Sequence, residues 1–195
     1  MYTVSPLLQY TAIPILSFPL RSTFLALPLE GKAKWLFQAL QEELKDWSQI
    51  LSFQNPLSPH LTLQFWPEAM EIEYGQILKQ SQEIARKAKP FSLKIEGAGT
   101  FGSRGEDRVL FLVVPFSEEL ARVRKLCPWP SAQPFSPHIT LARIRHPQRF
   151  RIEKKKIMKR VEDAEFTMDA SVLRLYAEVH GAKQTPLEEF RLQGA

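Results

Sequence analysis

A six-residue phrase occurs twice in this chain, and it limits the fold more than any other feature. Residues 58–63 read SPHLTL and residues 136–141 read SPHITL, an interval of 78 residues. Each copy has the marks of a β-strand: a proline at its opening, where no central ladder bond is lost, then alternating polar and apolar residues. The interval is too long for a stacked solenoid repeat. Each copy also follows a strand and a helix. The chain is therefore expected to form two similar lobes, each contributing one copy.

Alternation decides what each copy presents. Successive side chains on a strand point to opposite faces. His60 and Thr62 therefore share one face of their strand, as do His138 and Thr140, while Leu61, Leu63, Ile139 and Leu141 point to a core. If the lobes face each other, a cleft holds two imidazoles and two hydroxyls. An imidazole gives and takes protons near neutral pH. Two of them across a phosphate let one activate water while the other protonates the leaving alkoxide. The hydroxyls can donate to the non-bridging oxygens and hold the phosphate in line. That chemistry requires no metal. A single His-x-Thr would carry little weight, because a lone histidine on a strand is more often structural. Two copies with matching flanks reverse that balance. A zinc site is disfavoured, since three protein ligands are the usual minimum and no carboxylate or thiol lies at ligand-like spacing beside either motif.

Arg143 follows His138 by five residues. On a regular strand that odd spacing puts it on the opposite face. A bulge or the strand's end would turn it back, and its forked donors would then suit a phosphate. The alternative is a surface arginine capping a core strand. The first copy has Phe65 and Trp66 in the corresponding region, so the two halves are not chemically equivalent. An aromatic beside the cleft can stack on a base, or it can simply be core. His146 and His180 read as structural, and Cys127 as packed.

The rest of the chain alternates without regular βαβ units. Strands are expected at 22–29, 58–66, 91–96, 108–114, 136–143, 165–179 and 186–192. Helices are expected at 32–51, 70–88, 117–126 and 151–163. Leu36, Leu40, Leu44, Trp47 and Leu51 would form the core face of the first helix, and Ile72, Ile77, Ile84 and Ala88 that of the second. The stretch GAGTFGSRGED at 97–107 reads as a glycine-rich turn. Strands that follow one another directly favour antiparallel or mixed sheets and an α+β class.

Composition excludes several classes. Apolar residues at 44% and charged residues at 24% fit a globular protein and not a disordered one. One cysteine cannot form an intramolecular disulfide, which favours a reducing cytoplasm. Residues 1–20 are apolar and uncharged, but Pro6, Pro14 and Pro19 interrupt them and no basic n-region precedes them. They read as an extension that packs on the domain or pairs at a sheet edge, with 21–195 as one domain and no membrane span. The net charge is +5, and residues 145–160 alone hold eight Lys/Arg against one Glu. That segment is either a solvated helix face or a surface for a polyanion.

These residues resemble the 2H phosphoesterase superfamily, and within it the RNA 2′,3′-cyclic phosphodiesterases, also called 2′-5′ RNA ligases. The resemblance rests on STFLALPL, SPHLTLQF, GAGTFGSRGEDRVLFLVV, PFSPHITLARIR, VLRLYAEV and TPLEEFRL, in family order from about residue 21 to 192. It implies a bilobal α+β fold: two antiparallel sheets flank a central groove, helices lie outside, and a pseudo-twofold axis relates the lobes. It implies metal-independent, cofactor-free opening of RNA 2′,3′-cyclic phosphate ends to a 2′-phosphate, with 2′-5′ ligation as the reverse. By motif position His60 and His138 would be the acid/base pair, and Thr62 and Thr140 would contact phosphate. Arg143 matches the basic residue that ends the second motif, and Phe65 is a substrate-binding candidate. The expected partner is RNA with cyclic phosphate ends, such as tRNA halves, acted on by a cytoplasmic monomer. The working assignment has His138 activate water and His60 protonate the leaving oxygen. Competing readings are hydrolysis of 2′-5′ or 3′-5′ linkages or of small cyclic nucleotides, and RNA binding without turnover. Two departures stand out: residues 1–20 are extra, and Phe65-Trp66-Pro67 replaces the usual aromatic followed by Leu-Gly.

Overall fold

The structure, a computed structural model, describes residues 16–130 and 134–194. Most of the expected N-terminal extension lies outside the described residues. Its last part, Leu16 and Phe18, rests on the core, with the Phe18 ring 5.7 Å from that of Tyr74.

Among the described residues, ten strands and four α-helices form an α+β fold. In chain order they are β1 (Leu20–Pro28), α1 (Gly31–Glu43), β2 (Leu51–Phe53), β3 (His60–Ala69), α2 (Glu71–Lys87), β4 (Phe91–Glu96), β5 (Ala98–Ser103), β6 (Glu106–Val113), α3 (Glu118–Leu126), β7 (His138–Ile144), α4 (Pro147–Val161), β8 (Glu165–Ala170), β9 (Val172–Val179) and β10 (Ala182–Arg191). One lobe's strands run β10-β9-β1-β3 and the other's run β7-β6-β5, with β2 also on β7. All of these pairs are antiparallel. β4 and β8 form a separate two-stranded sheet.

The two lobes meet at β3 and β7 through one residue pair, Leu61 with Ile139. An antiparallel pair has a local twofold axis through its centre. Leu61 and Ile139 are separated by the same 78 residues that separate the two copies of the motif. The axis therefore maps His60 onto His138 and Thr62 onto Thr140, so the sequence repeat and the structural symmetry coincide. The core lies behind this face: Leu25, Leu27, Leu61, Leu110, Leu112, Ile139 and Leu141 are fully or almost fully buried. α2 packs on β9 and β10, and α4 on β5 and β6.

Several expectations need correction. The first helix ends at Glu43, and Leu51 belongs to β2, where it pairs with Ile144. The buried face of α1 is Ala33, Phe37 and Gln41. Of the expected face, Leu44 is fully buried, and Leu40 and Trp47 pack at the edge of the core. Ile72 is 78% exposed, since it lies about 140° around the helix from Ile77. The glycine-rich segment is largely strand β5, with its turn confined to Arg104 and Gly105, both at positive φ. The basic helix begins at Pro147, where proline suits the first turn. β3 runs on through Pro67 to Ala69, which is tolerated because β7 pairs with β3 only at Leu61 and leaves that far half an edge.

Candidate active site

His60 and His138 each open their strand, and each ring is anchored in the same way. His60 Nδ1 lies 2.7 Å from the Ser58 carbonyl oxygen, and His138 Nδ1 lies 2.9 Å from that of Ser136. A carbonyl oxygen only accepts, so each Nδ1 carries the proton. This leaves Nε2 as the ring nitrogen able to give or take a proton. Around the Leu61–Ile139 pair, the antiparallel register sets His60 toward Thr140 and Thr62 toward His138. All four side chains are half-buried on one face.

Behind each imidazole lies a pair of stacked aromatic rings from the two neighbouring strands. In the first lobe, Phe24 of β1 stacks on His60 at 4.5 Å and on Tyr176 of β9 at 4.9 Å. In the second, Phe111 of β6 and Phe101 of β5 stack at 3.9 Å, and His138 meets both edge-on, at 5.5 and 4.9 Å. Gly99 makes room for that second bed, because a Cβ there would sit 2.7 Å from the Phe111 ring. The Tyr176 hydroxyl accepts a hydrogen bond from Arg174 at 3.5 Å, and Arg174 is paired with Glu30 and Glu189.

The beds are not electrostatically equal. His60 lies flat against its rings, and its pKa is pushed down to about 4. Burial is the main cause; the hydrogen bond to the Ser58 carbonyl opposes it, and the charge of His138 adds to the lowering. His60 is thus neutral in the free protein at physiological pH, and the two imidazoles sense each other.

Arg143 and Phe65 both reach the histidine face, by the same device. In β7, Leu110 pairs with Ala142 but Phe111 pairs with Thr140, so Leu141 is one extra residue. In β3, Leu25 pairs with Gln64 but Ala26 pairs with Thr62, so Leu63 is extra. Each bulge resets the alternation. Arg143 then pairs with Val109, which alternates with Phe111 and lies on its face, and Phe65 pairs with Phe24. Both side chains are exposed there. They are also 78 residues apart, so the pseudo-twofold axis relates a guanidinium to a phenyl ring.

The β7 bulge is held from outside the sheet. Gln41 of α1 donates from Nε2 to the Leu141 carbonyl at 3.0 Å and to the Gln54 carbonyl at 2.9 Å. The Leu141 carbonyl also accepts from the Gln54 N–H at 3.0 Å. Local sequence pattern does not single out Gln41 or the four aromatic residues. Their one signal was polar or aromatic character at strand and helix positions where a simple core needs neither. Elsewhere, His146 caps α4 and His180 sits in the β9–β10 turn, both exposed. Cys127 is buried, and burial pushes its thiol up.

Among the described residues, no three His, Cys, Asp or Glu side chains converge as metal ligands do. No helix among them is long and apolar enough to cross a membrane.

The chain is similar in sequence and in fold to known proteins. The family model described as the 2′-5′ RNA ligase superfamily matches residues 33–180. A Bacillus subtilis (strain 168) protein named RNA 2′,3′-cyclic phosphodiesterase is 34% identical over 132 residues, covering 62% of this chain and 69% of that one. An Aquifex aeolicus (strain VF5) protein of the same name is 29% identical over 156 residues, covering 72% and 81%. Among solved structures, TT0787 of Thermus thermophilus is similar over 89% of this chain and 98% of its own, with 26% identity and a TM-score of 0.71.

Proposed function

The chain belongs to the 2′-5′ RNA ligase superfamily, and from that premise we propose that it hydrolyses RNA 2′,3′-cyclic phosphate ends to 2′-phosphates. The observation that carries this reading is the symmetric pair of imidazoles, each with Nδ1 tied to its own strand's entry and Nε2 left to the substrate. A water molecule, deprotonated by one Nε2, attacks phosphorus. The bond to O3′ breaks in line, and the other Nε2 delivers its proton to that oxygen. The proton count is unchanged over the cycle, because the first imidazole has gained what the second has lost. Thr62 and Thr140 donate to the non-bridging oxygens, where charge accumulates. When a 5′-hydroxyl takes the place of water, the same displacement forms a 2′-5′ linkage.

Arg143 supplies forked donors to the phosphate from the His138 side. Phe65, its symmetry mate, offers a ring face to the terminal base. His138 is assigned to water activation because Arg143 lies on its strand, and His60 to the leaving oxygen. Since His60 is neutral in the free protein, this assignment requires the negative charge of the bound phosphodiester to raise it. Residues 21–195 act as one two-lobed unit and as a monomer, since one chain supplies both histidines. RNAs cleaved to leave cyclic ends, tRNA halves among them, are the substrates that fit.

The test is turnover of a short RNA ending in a 2′,3′-cyclic phosphate, in excess chelator, with the product isomer identified. A 2′-phosphate product supports the reading. A 3′-phosphate product, or no turnover with binding retained, overturns it.

A further inference from the structure

A 2′,3′-cyclic phosphate sits at the 3′ end of its RNA, so the remainder of the strand leaves the groove in one direction only. The structure has a basic recess where such a strand could pass. It lies between the β5–β6 turn and the start of α4, with a volume of about 770 Å³. Its cations are Arg104 in the turn, and Arg151 and Lys154 on the helix; its anions are Glu106 and Asp107.

The charges do not cancel. Asp107 is bonded to Lys154 at 2.9 Å and to Thr100 at 2.7 Å, and Glu106 is paired with Arg108 on the same strand. Arg104 and Arg151 have no carboxylate partner among the described residues and are both exposed. Two arginines thus face an open recess whose acids are already neutralised. Placement links this recess to the catalytic groove. Phe101, in edge-on contact with His138, is three residues before Arg104 along β5. At strand spacing that is roughly 10 Å from Phe101. Thr100, bonded to Asp107 and Lys154, faces the opposite side of β5 from Phe101, so a strand reaches the recess around the β5–β6 tip, over several nucleotides. The turn keeps its shape because nothing larger than glycine fits at Gly102, where a Cβ would run into the Glu106 carbonyl.

We propose that this recess binds a backbone phosphate of the RNA strand, upstream of the cyclic end, through Arg104 and Arg151. The inference rests on the proposed activity and extends it from the terminal nucleotide to an oligonucleotide. Farther along α4, Lys156 and Arg160 are paired with Glu153 and Glu43.

The test compares the wild-type chain with the Arg104→Ala/Arg151→Ala double variant on two substrates, a mononucleoside 2′,3′-cyclic phosphate and a six-nucleotide RNA with the same end. The expected result is a KM about tenfold higher for the hexanucleotide, an unchanged kcat, and mononucleotide kinetics within about twofold of wild type. The salt slope of hexanucleotide binding should fall by about 0.7, the value for one single-strand phosphate. Equal hexanucleotide KM values in the two proteins would overturn the recess. Failure of both proteins on both substrates would overturn the catalytic reading instead. Fluorescence anisotropy of a labelled RNA of that length, ending in a 2′-phosphate, would still read the recess: weaker binding by the double variant supports it, and equal binding overturns it.

Discussion

Gln41 of α1 holds the Leu141 carbonyl at 3.0 Å, and Leu141 is the extra residue of the β7 bulge. Through that bond a helix on the core side governs which face Arg143 takes. The glutamine is buried although it is polar, and its two acceptors, Leu141 and Gln54, explain why.

Gln41→Leu should therefore do more than loosen the core. Loss of two buried hydrogen bonds should cost about 1–3 kcal/mol in chemical denaturation. Because Arg143 depends on the bulge, KM should rise more than kcat falls. A variant that loses stability but keeps wild-type KM would separate Gln41 from Arg143.

His60 should resist protonation. In an imidazole NMR titration of the free protein it should stay neutral down to about pH 4. An unfolded chain binds this proton near 6.5, so folding loses stability as pH drops through the window from about 6.5 to about 4. The penalty is absent above that window, complete below it, and at most about 3 kcal/mol. Titration near 6.5 in the folded protein would contradict the burial argument. Saturation with 2′-phosphate product should raise the His60 value; if it does not, the roles of the two histidines are exchanged.

Single substitutions His60→Ala and His138→Ala should each lower kcat about 10²–10⁴-fold. The double variant should be little worse than either alone, because the pair acts as a unit. Near-additive losses would show that each histidine works independently.

The aromatic bed behind His60 should be separable into packing and polarity. Phe24→Ala removes the stacked ring and should cost about 3–5 kcal/mol. It should also raise the His60 pKa, since water reaches the imidazole. Tyr176→Phe keeps the ring and loses only the 3.5 Å bond from Arg174, so activity should change less than about twofold. A large loss in Tyr176→Phe would mean that the hydroxyl takes part in the chemistry.

Gly99→Ala tests the opposite bed. The added methyl would press on the Phe111 ring, itself locked against Phe101. Catalytic efficiency should fall even where the thermal midpoint drops by only a few degrees. Normal activity would show that the ring can yield without disturbing His138.

Some of this protein was legible in its residues. The repeated phrase carried the two lobes, the shared face of histidine and threonine, and the symmetry, because strand alternation is local and strict. Element types were mostly legible for the same reason. What local pattern could not decide was set by partners distant in the chain. Alternation alone put Arg143 on the wrong face, and only the register of β7 against β6 reveals the extra residue that turns it. Gln41 joins the buried face of α1 because it is bonded to a carbonyl 100 residues away. The depressed basicity of His60 depends on Phe24 and Tyr176, brought beside it by β1 and β9. The chain by itself determined which polar groups recur on the two paired strands; tertiary structure decided which way they face and how readily they take a proton, because register and burial arise only when remote strands pair.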